Sequence, residues 1–281
     1  MKELTKITKY KHSANAGDLI ASLAGVKQLA HDKNKKANYY QKIGQEAQYY
    51  QGAVHPTKND KGVEVSMNNP MFDMLKPLIE AQPYINSFEK YEGQDIDINL
   101  DDIRRYRVNM PFGSIQRWYF YVYPQLACDL SKKWIFNTDY DESYKDTIII
   151  NRTQRYRNPQ LNYFFLKDYQ DKLLFTGTKH EHELFCQEWK LDIPYLKINN
   201  FLELTNILAS CKFFIGNQSF VYNISEAMKI PRILELCDFA PNCIPYGKNG
   251  YDFYHQPSLE YYFKKLNKQQ CLTNKLKKKQ N

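Results

Sequence analysis

From residue 147 onward, short apolar runs alternate with stretches of helical period, and few folds accept that alternation. TIIIN (147–151), KLLFT (172–176), YLKI (195–198), KFFI (212–215) and RILEL (232–236) are runs of strand length. Stretches 162–169, 180–189 and 201–210 lie between them with helical spacing, and another helix follows Gly216. Strands separated by helices predict a parallel sheet covered on both faces. The pattern is densest in GNQSFVYNISEAMKIPRILEL (216–236): a glycine turn, a polar triplet, a helix, and a proline that opens the next strand. Such a turn brings backbone N–H groups and the positive end of a helix dipole to one point, which suits a phosphate. Asn217, Gln218 and Ser219 are the side chains placed there. The alternative is that Asn217 or Ser219 merely closes the helix.

The N-terminal part opens in the same way. A strand at 6–12 leads through SANAGD into a helix marked by Leu19, Ile20, Leu23, Val26, Leu29 and Ala30. The dinucleotide fingerprint GxGxxG is absent, so no NAD or FAD cofactor is expected. Further on, the spacing predicts a strand from 36, a helix over 68–81 with Pro70 in its first turn, and strands over 84–91 and 95–100. An aromatic helix over 114–130, interrupted by Pro124, and a short strand at 133–136 follow. The charged segment 139–145 marks a boundary. The expected organisation is α/β: two Rossmann-like domains in tandem, residues 1–140 and 141–256. Residues 257–281 then supply a helix returning towards the first domain and a basic tail.

Composition narrows the function classes. Among 281 residues the hydrophobic share is 43%, enough for real cores. A mean hydropathy of -0.66 and the lack of any apolar run near the ~20 residues of a spanning helix argue against an integral membrane protein. MKELTKITKYKHS has no apolar signal region, and six scattered cysteines form no CxxC pair. These features predict reduced thiols and a cytoplasmic location. Much of the net charge of +8 lies near the C-terminus, at Lys275, Lys277, Lys278 and Lys279. Such a tail is either a solvated end or a peripheral contact with anionic membrane or DNA.

Three strand-end turns meet at one edge of a parallel sheet. The first holds Arg152 and Arg155, the second Lys179, the third Asn217, Gln218 and Ser219. Arginine forks, a hydroxyl and a helix N-terminus together suit a diphosphate. Asp18 stands at the mouth of the first helix, as a cap or as a general base. His12, Asn15, Arg104 and Arg105 are candidates for the acceptor side. The pairs Asp95/Asp97 and Asp139/Asp141 match Asp-x-Asp, but with 31 acidic residues such pairs arise by chance, so no metal is expected. His180 and His182 point to different sides of a helix and make a poor ligand pair.

Two separated motifs resemble the GT-B glycosyltransferases of the heptosyltransferase (glycosyltransferase family 9-like) type. AGDLIASLAGVKQL (16–29) is similar to that family's Gly-Asp turn and first helix, with Ala24 where proline is usual. The family's proposed catalytic base falls on Asp18. Its later motif, Asp-Thr-Gly-Pro-Met-His before a helix ending at proline, is matched by counting back from Pro231. The aspartate then falls on Gln218, the threonine on Ser219, the glycine on Phe220 and the histidine on Asn223. Only the hydroxyl is kept in kind.

The resemblance implies two Rossmann-like domains facing a central cleft. It implies inverting, metal-independent transfer of a sugar from a nucleoside diphosphate sugar, a co-substrate rather than a cofactor. Asp18 would serve as base, and Arg152, Arg155, Lys179 and Ser219 would hold the diphosphate. Glu226 or Glu235 would bind ribose or donor hydroxyls, and domain closure would exclude water. The acceptor would be a cell-envelope glycan at the inner membrane face, or a hydroxylated base in DNA if the chain is viral. The alternative is a catalytically degenerate protein that binds nucleotide or nucleic acid.

Overall fold

The computed structural model describes residues 6–32, 35–47, 57–110 and 112–269. The N-terminal lobe runs β1 (Lys6–His12), α1 (Ala16–Asp32), β2 (Lys35–Gln41), α2 (Asn69–Glu80), β3 (Ile85–Lys90), β4 (Ile98–Asn99), α3 (Asp102–Arg105) and α4 (Ile115–Val122). The C-terminal lobe runs β5 (Ile148–Asn151), β6 (Leu173–Phe175), α5 (Lys179–Trp189), α6 (Phe201–Ser210), β7 (Phe213–Asn217), α7 (Phe220–Met228), β8 (Arg232–Glu235), β9 (Gly250–Phe253) and α8 (Gln256–Lys268). Every strand pairing in the two sheets is parallel. The central strands β5, β7 and β8 are buried along their whole length. That is why they read as unbroken apolar runs rather than as alternating ones.

Strand order fixes where a ligand can sit. The first sheet has the order β3-β2-β1-β4, which reverses between β1 and β4. The second has the order β6-β5-β7-β8-β9, with Tyr195 bridging Phe175 outside β6. Its chain moves outward from β5 to β6 to Tyr195, then returns to β7 on the other side of β5. Each reversal opens a crevice at the carboxyl ends of two neighbouring strands. Gly216 lets β7 lie close against the end of β5, because a Cβ there would lie 2.1 Å from the carbonyl oxygen of Asn151.

Several expectations need correction. Segment 133–136 forms no strand; the backbone N–H of Trp134 instead donates to Ala227 O at 2.9 Å, at the end of α7. The strand expected at 195–198 shrinks to the single bridge at Tyr195. The helix expected over 162–169 is a 3-10 helix, Phe164–Lys172. The edge strand β9 has too polar a sequence to have been foreseen. Helix α8 does not return to the first lobe: Leu259, Phe263 and Leu266 pack into the core of the second sheet, beside Phe213 and Phe253. The basic tail, Lys275 to Lys279, lies outside the described residues.

The lobes share one core. Helix α1 packs on α7 and α2 on α6, and Leu19, Leu23, Val221 and Ile224 belong to one apolar cluster. Trp134 stitches the seam, its Nε1 donating to Ile20 O at 2.8 Å. Asn242 stitches it again, donating to Met110 O at 2.8 Å and accepting at its own carbonyl from the N–H of Ile115 at 2.9 Å. An interface this apolar does not part easily.

Candidate active-site cleft

The two crevices open into one cavity of about 680 Å³ between the lobes, within the size range of small-molecule sites. Helices α1 and α7 meet there at their N-termini. A Cβ on Gly17 would lie 3.1 Å from Asn223 Nδ2 and 3.9 Å from the Cα of Phe220. Asp18, one residue beyond Gly17, and Ser219, one residue before Phe220, therefore face the same space from opposite lobes, and both line the cavity. The positive ends of two helix dipoles point into it.

On the first lobe Asp18 sits in the first turn of α1, its side chain 16% exposed, with Arg104 Nη2 at 3.8 Å. Asn15 and Arg104 line the cleft with it. Arg105 does not; its guanidinium stacks over Tyr106 on the outer surface. His12 is fully buried beneath the cleft, between Gln41 Oε1 at 3.3 Å from Nδ1 and the Tyr119 hydroxyl at 3.0 Å from Nε2. Burial pushes its pKa down, against the opposing pull of Asp101 and Asp18. It supports the floor of the site and touches no acceptor.

On the second lobe Ser219 caps α7, accepting from Tyr222 N at 3.1 Å. Its own proton remains available as a donor towards the cavity. Arg155 lines the cavity as well. Arg152 does not: its guanidinium makes a fork with Glu235 at 2.8 and 2.9 Å and stacks on Tyr163 and Trp189. Lys179 is 78% exposed, paired with Glu183 at 3.8 Å, and faces solvent rather than ligand. Asn217 is buried and holds the loop after β5, accepting from Thr153 N at 2.9 Å and donating to Arg155 O at 2.6 Å. Gln218 lines the cavity, but its amide donates to Ala240 O and Asn242 Oδ1, both at 2.8 Å.

The two expected ribose ligands are internal. Glu226 is bound by Arg232 and Lys229, and Glu235 accepts from Arg152, Asn158 N and the Tyr163 hydroxyl. Both are fully buried and cannot meet a donor. Among the described residues no group of three or more His, Cys, Asp or Glu side chains is arranged to hold a metal. Lys197, an exposed cation of the segment 195–198, does line the cavity. The sequence hid it inside an apparent strand. Tyr156 and Phe239, also in the lining, lie with their rings tilted and ring centres 6.1 Å apart.

This geometry has counterparts of known structure. The glycosyl transferase family 9 protein of Veillonella parvula superposes with a TM-score of 0.57 at 13% identity, covering 95% of this chain and 91% of that one. The fold is GT-B. The heptosyltransferase WaaC of E. coli, solved with ADP-2-deoxy-2-fluoro heptose, gives a TM-score of 0.59 at 8% identity, over 92% of this chain and 99% of its own. The ADP-heptose lipopolysaccharide heptosyltransferase II of E. coli gives 0.55 at 11% identity, over 94% and 98%. No family model and no curated protein matches the chain by sequence. In a GT-B frame the cavity lies where the two Rossmann-like lobes face each other, and the Asp18 and Ser219 motifs occupy its two walls.

Proposed function

We propose that this protein is an inverting glycosyltransferase that takes its sugar from a nucleoside diphosphate sugar. The observation that carries the reading is the meeting of α1 and α7, which sets a carboxylate and a hydroxyl-capped helix N-terminus across one cavity. The diphosphate would lie against α7 and Arg155, where N–H groups, the Ser219 hydroxyl and a guanidinium stabilise charge as it leaves. The acceptor hydroxyl would enter from the N-terminal lobe and lose its proton to Asp18. Its oxygen then bonds to the anomeric carbon as the bond from that carbon to the phosphate oxygen breaks. Attack from one lobe and departure towards the other makes the displacement in line, hence inverting. Metal independence belongs to the same reading, since helix dipoles and cations take the part of a divalent ion.

The N-terminal lobe carries a basic, aromatic surface that suits an anionic acceptor. Arg105, Arg107 and Arg117 are exposed on it, with Tyr106, Phe112 and Tyr121, on segments that also carry the cavity-lining Arg104, Met110, Ile115 and Trp118. A cell-envelope glycan and a hydroxylated base in DNA both have the anionic, ring-bearing chemistry that such a surface recognises. No helix among the described residues is long and apolar enough to cross a membrane, so contact with a membrane-borne acceptor would be peripheral.

The reading is tested by melting the full chain against ADP, UDP, GDP and their common sugar conjugates. A ligand that binds only the folded state raises Tm by mass action. A shift with one nucleoside series is expected, insensitive to EDTA. Absence of any shift, beside a shift with oligonucleotides, would replace sugar transfer with nucleic-acid binding.

A further inference from the structure

Lys197 has no part in the assignments above, and its surroundings give it one. The segment that carries it is anchored at both ends on the cleft's own turns. At one end Tyr195 bridges Phe175, and its hydroxyl donates to Gly177 O at 2.9 Å. At the other, Phe201 opens α6 with its ring centre 4.5 Å from that of Phe220, the first residue of α7. The chain between them thus passes over the strand ends, from the turn after β6 to the turn after β7. Lys197 lies in the middle of that passage, exposed and lining the cavity.

Charge pairing separates it from the other cations. Arg152 is satisfied by Glu235, Lys179 lies beside Glu183, and Arg104 faces Asp18. Lys197 forms no ion pair with any described residue. An ammonium is a compact charge on a flexible stem, able to follow a phosphoryl group without a fixed fork geometry. We propose that Lys197 is a phosphate-binding residue of the cleft, holding the diphosphate of the donor together with Arg155 and the Ser219 hydroxyl. It takes the place that the sequence pattern gave to Arg152 and Lys179. The assignment rests on the cleft being a nucleotide site.

The test is titration calorimetry of the full chain with ADP, UDP and GDP, and competition NMR with the matching nucleosides. Loss of one charge-assisted phosphate contact in Lys197→Ala should raise the Kd of the preferred diphosphate roughly 10- to 100-fold, with the nucleoside changed less than about twofold. The salt dependence of diphosphate binding should flatten in the same variant. Lys197→Arg should keep most of the affinity, and Lys179→Ala all of it. Unchanged diphosphate affinity in Lys197→Ala overturns the assignment while the nucleotide site stands. Equal losses for nucleoside and diphosphate also overturn it, placing Lys197 at the nucleoside. No diphosphate binding by the unaltered protein overturns the nucleotide reading itself, and Lys197 with it.

Discussion

Asp18 and Arg152 show how differently two charged side chains can be used in one molecule. Asp18 keeps a face on the cavity, and Arg152 spends its guanidinium inside the lobe. Asp18→Asn keeps shape and hydrogen bonding but cannot accept a proton. It should lower transfer by about 10²- to 10⁴-fold, with diphosphate affinity by calorimetry unchanged; undiminished turnover would remove Asp18 as base. Arg152→Ala leaves Glu235 buried without its counter-charge, a loss of about 3–5 kcal/mol in urea unfolding. Where the variant still folds, its nucleotide affinity should match that of the parent. His12 brings a pH dependence with a defined sign. Burial depresses its folded pKa below the unfolded value of about 6.5. Below that value the unfolded chain takes up a proton that the native protein refuses. Stability is therefore whole above pH ~7 and declines as pH falls towards the folded pKa. Urea midpoints of the parent should drop across that window more steeply than those of His12→Asn.

At the scale of elements, helix ends carry both stability and function. Thr178 and Glu181 form a capping box on α5, and Ser219 caps α7. Thr178→Ala and Ser219→Ala should each cost about 1 kcal/mol in thermal or urea unfolding. Ser219→Ala should also weaken diphosphate binding, a second effect that loss of a cap away from the cavity would not have. Most of these elements are legible in the sequence, because a fully buried strand shows as an apolar run and an amphipathic helix shows its period. The 195–198 stretch misleads for a physical reason: it has strand composition, but its pairing with the sheet ends at Leu196, whose N–H donates to Phe175 O at 2.8 Å. β9 escapes notice because its one buried side chain, Phe253, leaves no alternating pattern. The site was legible only in part. The sequence places Asp18 and Ser219 at strand-end turns, yet it cannot tell an arginine that lines the cavity from one that meets a glutamate 83 residues away. Arg155 and Arg152 follow the same strand, and only the folded partners distinguish them.

At the scale of the molecule, the shared core bears on motion. Helices α1 with α7 and α2 with α6 join the lobes through apolar contacts. Thermal unfolding should therefore be a single transition, with calorimetric and van't Hoff enthalpies in agreement; two resolved transitions would show lobes that fold apart.

The seam at Trp134 and Asn242 limits how such a protein can be recombined. A chain whose halves met through a hydrated hinge would behave as a kit, and a donor-binding half from a relative could be grafted to change the sugar. Here Trp134 caps the end of α7 with its backbone and holds α1 with its indole. A transplanted half would arrive with the wrong mate for that ring. A change of specificity is then better sought by substitution in the lining loops, with the two halves kept as one piece.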